Sequence, residues 1–372
     1  MNNHLYHSVS PQNENSQGYS DSDQIDFLLD FPGRKLVPGS VRLEAICAIA
    51  NVDTPADKLK LDPQCGAHSF IESITTEMAS KGVVEVINSD YARMVKSKVQ
   101  ATTGRVDLLS SKHISQWQSA DERSSSSKLR PKVNINAANA ISINNDFSIS
   151  LEHCLNNIEG GNLSYNQSGY CKVSVTLARI ANALYGCGHL AATNLAFTLT
   201  KVRVKFQSVP EDNQNNQLVM NTMYNVKQGI SSASANISSK VPSVCKGFVG
   251  SFVKSASAVS LTANSYKTEQ PPGMEEIRVM FNNASNQLLT YSLRNINDQK
   301  IKAKLAFGNT ANGPCQMSNA DIGTDNGGYL FGAEFGTLVN LTNQKINIQF
   351  DSNIDNATPY TCFIFFMGVV AL

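Results

Sequence analysis

The segment Lys201–Phe206 constrains the fold more than any other part of the chain. Val202, Val204 and Phe206 alternate there with Lys201, Arg203 and Lys205. A period of two puts the apolar set on one side of a pleated ribbon and the basic set on the other, which is a half-buried strand. Runs of the same kind recur. Before residue 207 they are IDFLLDF, VRLEAICAIANV, KGVVEVI, ISINNDFSISLEH, YCKVSVTLARI and LAFTLTKVRVKF. After it come SSASANISSKV, SVCKGFVGSFV, MEEIRVMFN, QLLTYSLRN, KIKAKLAFG, KINIQF and YTCFIFFMGVVAL. Gly, Pro and Asn punctuate them, as at Pro32-Gly33 and Pro38-Gly39. Regularly spaced short strands predict an all-β sandwich or barrel rather than alternating βαβ units.

Composition agrees. Charged residues are 16% of the 372, against roughly 25% in an average globular chain. Asn, Ser, Thr and Gln take their place, a mix that suits strands and turns better than exposed helices. Lys and Arg number 31 and Asp and Glu 30, a formal charge of +1. Coating nucleic acid by charge alone requires a strongly basic chain, so that class is excluded.

One polar stretch, Gln207–Asn221 (QSVPEDNQNNQLVMN), divides the two series of runs. The expected organisation is a flexible N-terminal arm over 1–24, strand-rich units over 25–207 and 230–372, and a linker over 208–229. The arm is assigned because it has almost no apolar residues to offset the entropy of ordering. It also lacks the basic and apolar regions of a signal peptide, so Asn162, Asn283 and Asn340 are expected to stay unglycosylated. Two intervals are poor in strand signal: 96–135, which contains Trp117 and is expected to be partly helical, and 308–329, expected to be a loop.

The terminal run Tyr360–Leu372 is almost wholly apolar. As a helix it would reach about 20 Å, short of a roughly 30 Å hydrocarbon layer. Its Phe and Val content predicts a buried strand. Phe363, Phe365 and Met367 would share one face and Ile364 and Phe366 the other, so both faces need cover. A bend or bulge is expected near Gly368.

The phosphate-loop, nucleophile-elbow, zinc-protease and dinucleotide motifs are absent from the sequence. Cysteines stand at 47, 65, 154, 171, 187, 245, 315 and 362, with no C-x-x-C pair. They read as buried free thiols of a reducing compartment. Cys65 with His68, and Cys187 with His189, each set a thiol near an imidazole, but without the spacing of a zinc site. Six histidines, at 4, 7, 68, 113, 153 and 189, are scattered. Basic residues cluster at Arg93, Lys96 and Lys98, at Lys128, Arg130 and Lys132, and on the Lys201, Arg203, Lys205 face. Each cluster reads as a solvated face or a subunit contact. No catalytic, cofactor-binding or metal-binding residue is assigned; the chain is not expected to be an enzyme or to take a small-molecule substrate.

FLLDFPGRKLVPGSVRLEA and LDPQCGAHSFIESITTEMASKGVVEVINSDYARMVKSKVQA resemble the opening strands of double jelly-roll major capsid proteins. These are proteins of small eukaryotic DNA viruses and polinton-like viruses, in the adenovirus structural lineage. LAATNLAFTLTKVRVKF is similar to the closing strands of their first roll. ISSASANISSKVPSVCKGFVGSFV with PPGMEEIRVMFNNASNQLLTYSLRN is similar to the opening of the second, and FIFFMGVVAL to its last strand. The resemblance implies two consecutive eight-stranded jelly rolls with long inter-strand loops, and 96–135 and 308–329 become tower or intersubunit loops. It implies a structural protein that self-assembles as homotrimeric, pseudo-hexameric capsomers of an icosahedral DNA-virus shell. Implied partners are neighbouring capsomers, penton and minor capsid proteins, and an internal membrane or genome met through the N-terminal arm. Implied location is the virion capsid, assembled in the host cytoplasm or nucleus. The alternatives are a penton or minor capsid protein, a carbohydrate-binding jelly roll, and an enzyme on a β-sandwich.

Overall fold

The computed structural model describes residues 3–50, 58–62, 65–102, 132–134, 145–185, 196–212, 217–240, 244–274, 276–281, 291–306, 328–341 and 345–372. Sixteen principal strands carry the architecture. The first eight are β1 Leu5–Val9, β2 Gln24–Leu29, β3 Arg42–Ala50, β4 Ile71–Met78, β5 Gly82–Ile87, β6 Asn145–Ser150, β7 Cys171–Leu177 and β8 Ala196–Pro210. The second eight are β9 Val219–Ile230, β10 Ser234–Lys240, β11 Val244–Lys254, β12 Ile277–Phe281, β13 Tyr291–Leu293, β14 Phe331–Asn340, β15 Lys345–Asp351 and β16 Tyr360–Ala371.

Each set of eight forms two antiparallel sheets. In the first set the orders are β1-β8-β3-β6 and β2-β7-β4-β5. In the second they are β9-β16-β11-β14 and β10-β15-β12-β13. Counted within its own set, each unit therefore reads 1-8-3-6 against 2-7-4-5. That is the order of an eight-stranded jelly roll, and the chain contains it twice. A short strand of the first roll, Ile158–Glu159, pairs with Met220 and Val219 and adds a strip to the second roll's sheet.

The strand chemistry follows the sequence pattern. In β8, Val202, Val204 and Phe206 are buried while Lys201, Arg203 and Lys205 are exposed. A register shift falls between Thr200 and Arg203, where Lys201 takes φ 50°. In β2, Ile25, Phe27 and Leu29 point inward, and in β7 Cys171, Val173, Val175 and Leu177 do. Gly33 and Gly39, the second residues of the two Pro-Gly turns, have φ 68° and 77°, a region where a Cβ is strained.

Strand β16 is covered on both sides. Cys362, Ile364 and Phe366 enter the core inside the second roll, with Phe248, Phe252, Phe331 and Phe350. Phe363, Phe365 and Met367 enter the core continuous with the first roll, with Val249, Val253 and Met94. The irregularity expected near Gly368 lies beside it, in the partner strand. β11 shifts register between Cys245 and Gly247, opposite Gly368 and Met367, while the β9 ladder runs unbroken. β16 itself therefore carries no bulge, and Lys246 is the extra residue of a β-bulge in β11.

Two expectations are corrected. Residues 1–24 are not a free arm over their described part, because Leu5–Val9 is the first strand of the first roll and pairs with Val204–Ser208. His7 stacks on Phe206 at 4.4 Å and bonds Ser208 at 2.7 Å, and Tyr19 exchanges backbone hydrogen bonds with Leu199. Backbone ladder bonds hold β1, Val9 packs on the core and Tyr19 lies within it. Residues 208–210 and 219–229 are strand rather than linker. β8 extends to Pro210, and β9 pairs along its whole length with β16. Asn221 and Asn225 of β9 face the first roll and hydrogen-bond to it.

The interval 96–135 begins inside helix α1, Tyr91–Thr102; its residues 103–131 lie outside the described residues, as do 308–327. A second helix, α2, Ile296–Ala306, packs on β14, where a Cβ on Gly332 would meet Ala303 Cα at 3.1 Å. Among the described residues no helix is long and apolar enough to cross a membrane, and the terminal run is a strand.

Phe365 is fully buried between the rolls. Phe365→Ala is expected to cost on the order of 3–5 kcal/mol, read as a lower midpoint in urea unfolding. An unchanged midpoint would mean that the β16 outer face carries no packing energy.

Candidate functional site

The described part of the molecule with the densest buried polar chemistry is the seam between the two rolls. α1 lies in it. Tyr91, Met94 and Val95 give the helix an apolar face, and the basic residues between them fill the remainder. Arg93, Lys96 and Lys98 are therefore not a solvated face. Lys96 is 1% exposed and its Nζ lies 2.8 Å from Asp62 Oδ2. It also donates to the Tyr266 carbonyl at 2.6 Å. Asp62 accepts from the Asn264 amide at 2.7 Å and from Cys65 N–H at 3.0 Å. One buried ion pair of the first roll thus holds the loop between β11 and β12 of the second.

Arg93 continues the seam. Its guanidinium donates to the carbonyls of Ser265 and Ala258. It stands over the rings of Tyr266 at 5.1 Å and Phe363 at 4.4 Å. Asp90, just before α1, is 3.8 Å from it. Lys227 of β9 also lies over the Phe363 ring, at 5.4 Å. A cation over an aromatic face is favoured most where water is excluded. Lys98 pairs with Glu152 and donates to Asn157 at 3.2 Å. Next to it a cavity of about 180 Å³ is lined by Glu159, Asn221, Met223 and Lys246.

Glu85 ties the rolls through backbone. One carboxylate oxygen accepts from Cys154 N–H at 2.7 Å, the other from Met223 N–H of β9 at 2.8 Å. Burial pushes its pKa up from 4.5 to about 7, and the two N–H donors oppose that rise. Asn225 of β9 meets the Asn88 backbone and the Asp90 carboxylate, the latter at 3.0 Å. His153 and Cys154 lie beside Glu85, with one potential ligand atom of each within 4.8 Å. Burial keeps the imidazole neutral, with its pKa near 3, and holds the Cys154 thiol well above its ordinary value. The His153 ring meets Thr76 at 3.2 Å. Glu85 accepts one amide hydrogen from each roll, so this carboxylate is the polar crosslink, with His153 and Cys154 packed beside it.

The other residues singled out in the sequence are dispersed. Cys65 and His68 are both buried but turn to different partners, the Ala92 carbonyl at 3.3 Å and the Tyr91 hydroxyl at 3.1 Å. Burial raises the Cys65 thiol. Cys187, His189, His113, Lys128 and Arg130 lie outside the described residues. Lys132 is in a short strand, Lys132–Asn134, paired with Lys58–Lys60. His7, His68 and His153 each take a different partner. The six described cysteines are free and buried. Asp62, Glu85, Asn225 and Asn264 were not singled out. Only Glu85 leaves a signal, as a lone carboxylate inside the apolar run GVVEVI.

The whole chain is similar in structure to viral capsid proteins. A Faustovirus major capsid protein matches with a TM-score of 0.65 and 8% identity, over 99% of this chain and 90% of that one. The PBCV-1 virus capsid matches at 0.58 and 10%, over 100% and 95%. The Sputnik virophage structure matches at 0.58 and 11%, over 99% and 85%. No protein-family model and no curated protein matches the chain. At such low identity the likeness establishes fold, and with the repeated strand order it places the chain in the double jelly-roll class.

Two outcomes test the seam. Lys96→Met leaves Asp62 buried without its cation and is expected to cost about 3–5 kcal/mol, measured by urea unfolding. For Glu85 the sign follows from its raised folded pKa. Ionisation is easier in the unfolded chain, so its unfavourable contribution is absent below about pH 4.5, grows between 4.5 and 7, and is constant above. The full effect is on the order of 3 kcal/mol. The difference between the unfolding profiles of the protein and of Glu85→Gln should follow that curve; a difference independent of pH would refute the assignment.

Proposed function

We propose that this chain is the major capsid protein of an icosahedral DNA-virus shell, acting as a homotrimeric capsomer of pseudo-hexameric outline. The observation that carries the reading is the repeated strand order, two complete jelly rolls in one chain, shared over nearly its full length with major capsid structures. Two similar units per chain supply six positions from three chains, which fills a six-coordinated site of a shell. The strands stand roughly perpendicular to that shell. The role is structural, carried by faces and loops rather than by a reaction. Its partners are copies of itself, neighbouring capsomers, and penton and minor capsid proteins, in virions assembled in the host cytoplasm or nucleus. The proposed contact of an N-terminal arm with membrane or genome loses its support, because β1 is part of a sheet.

The test is the mass of the purified full-length protein, followed by electron microscopy under assembly conditions. A particle of three times the 40.3 kDa chain, building into closed shells, is expected. A pentamer would point to a vertex protein, and a stable monomer would overturn the reading.

A further inference from the structure

The buried ion pair of Lys96 and Asp62 belongs to a closed ring of hydrogen bonds. Lys96 Nζ donates to Asp62 Oδ2 at 2.8 Å and to the Tyr266 carbonyl at 2.6 Å. Asn264 Nδ2 donates to the same Asp62 oxygen at 2.7 Å. The Tyr266 N–H closes the ring on Asn264 Oδ1 at 3.0 Å. Cys65 N–H holds the other Asp62 oxygen at 3.0 Å. Three groups therefore stand side by side: a primary amine, a carboxylate, and a carboxamide whose oxygen is held by a backbone donor. Water is kept from them, since Lys96 is 1% exposed, Asp62 0%, and Asn264 and Tyr266 5% each. A salt bridge needs only the amine and the carboxylate. The asparagine, brought in from the second roll, adds an acyl group.

We propose that Lys96 and Asn264 condense into an amide that joins the two rolls covalently, with Asp62 carrying the protons. Burial disfavours the charged forms of a pair, so the Lys96 ammonium passes a proton along its 2.8 Å bond to Asp62. The amine nitrogen then attacks Asn264 Cγ. The carbonyl electrons move onto Oδ1, where the Tyr266 N–H stabilises the developing charge. Asp62 gives its proton to Nδ2 and takes one from the attacking nitrogen. Oδ1 recovers its double bond as the Cγ–Nδ2 bond breaks. The nitrogen leaves as ammonia, takes the last proton from Asp62 and departs as ammonium. One ammonium and one carboxamide thus become one secondary amide and one ammonium ion, with no oxidant or cofactor. Amines attack amides slowly in water; holding both on one oxygen replaces an encounter with a positioned pair. The ion pair is the state from which the amide forms. The product ties α1 to the loop between β11 and β12, in a molecule whose described cysteines are all free. Every reacting atom lies within one chain, so the inference is independent of the trimeric reading.

The experiment uses the full-length protein, incubated at neutral pH after purification, and reads its intact mass under denaturing conditions. The wild type is expected to be lighter than its sequence by one ammonia. Protease digestion should then give a branched peptide in which Lys96 is joined to Asn264. Lys96→Arg keeps the cation without the nucleophilic amine, and Asn264→Ala removes the acyl group; both should keep their full mass. Asp62→Asn should slow the condensation at least tenfold, and an unchanged rate overturns the mechanism. A wild type that keeps its full mass overturns the proposal. So does a loss of water in place of ammonia, which would join Lys96 to Asp62. An ammonia loss that survives in Lys96→Arg marks cyclisation of an asparagine and overturns it as well. If a variant does not fold, the wild-type mass and peptide map decide alone.

Discussion

Everything in this molecule depends on a strand that is apolar on both faces. β16 hydrogen-bonds to β9 on one edge and β11 on the other, so its backbone is satisfied within the sheet. Its side chains then need an apolar layer above and below. One layer is the second roll's own core and the other belongs to the first roll. A single roll would leave Phe363, Phe365 and Met367 in water, a loss of roughly 1.5–3 kcal/mol for each large side chain. The two rolls are thus one folding unit as far as this sheet is concerned, although each has a complete strand order.

The apolar layer fixes that the rolls meet; the polar groups fix how. Hydrophobic contact is non-directional. The Lys96–Asp62 pair, the Glu85 carboxylate and the Asn225 amide are directional, and each is buried where an unmade bond is expensive. Sliding one roll along the other by a single residue would strand all three. Such groups add little net stability, since desolvation offsets much of the attraction. Their effect is to exclude other registers.

Much of this was legible in sequence and some was not, for physical reasons. The alternation in β8 and the two-faced run of β16 were readable because burial there is written directly into side-chain type. β1 was not: LYHSV is held by ladder bonds to β8, and backbone bonding leaves no trace in hydropathy. β9 misled for a related reason. MNTMYNVKQG looks solvated because Asn221, Asn225 and Lys227 are polar, yet they meet polar partners in the first roll or an aromatic ring. The Arg93, Lys96, Lys98 cluster misled in the same way, since a charge with a buried counter-charge 34 residues away is indistinguishable, in one sequence, from a charge in water. The seam was illegible because its pairs join residues distant along the chain.

The position of β16 also sets a schedule. It is the last of the sixteen strands in chain order, and it feeds both cores along most of its length. Until it emerges, β9 and β11 have an unfilled slot between them, and the first roll lacks part of its cover. Contacts of this sequence separation are slow to form and leave sheet edges exposed meanwhile. Arrival of β16 is therefore the event that closes both cores. A chain without β16 has open edges on β9 and β11 rather than being a slightly shorter subunit.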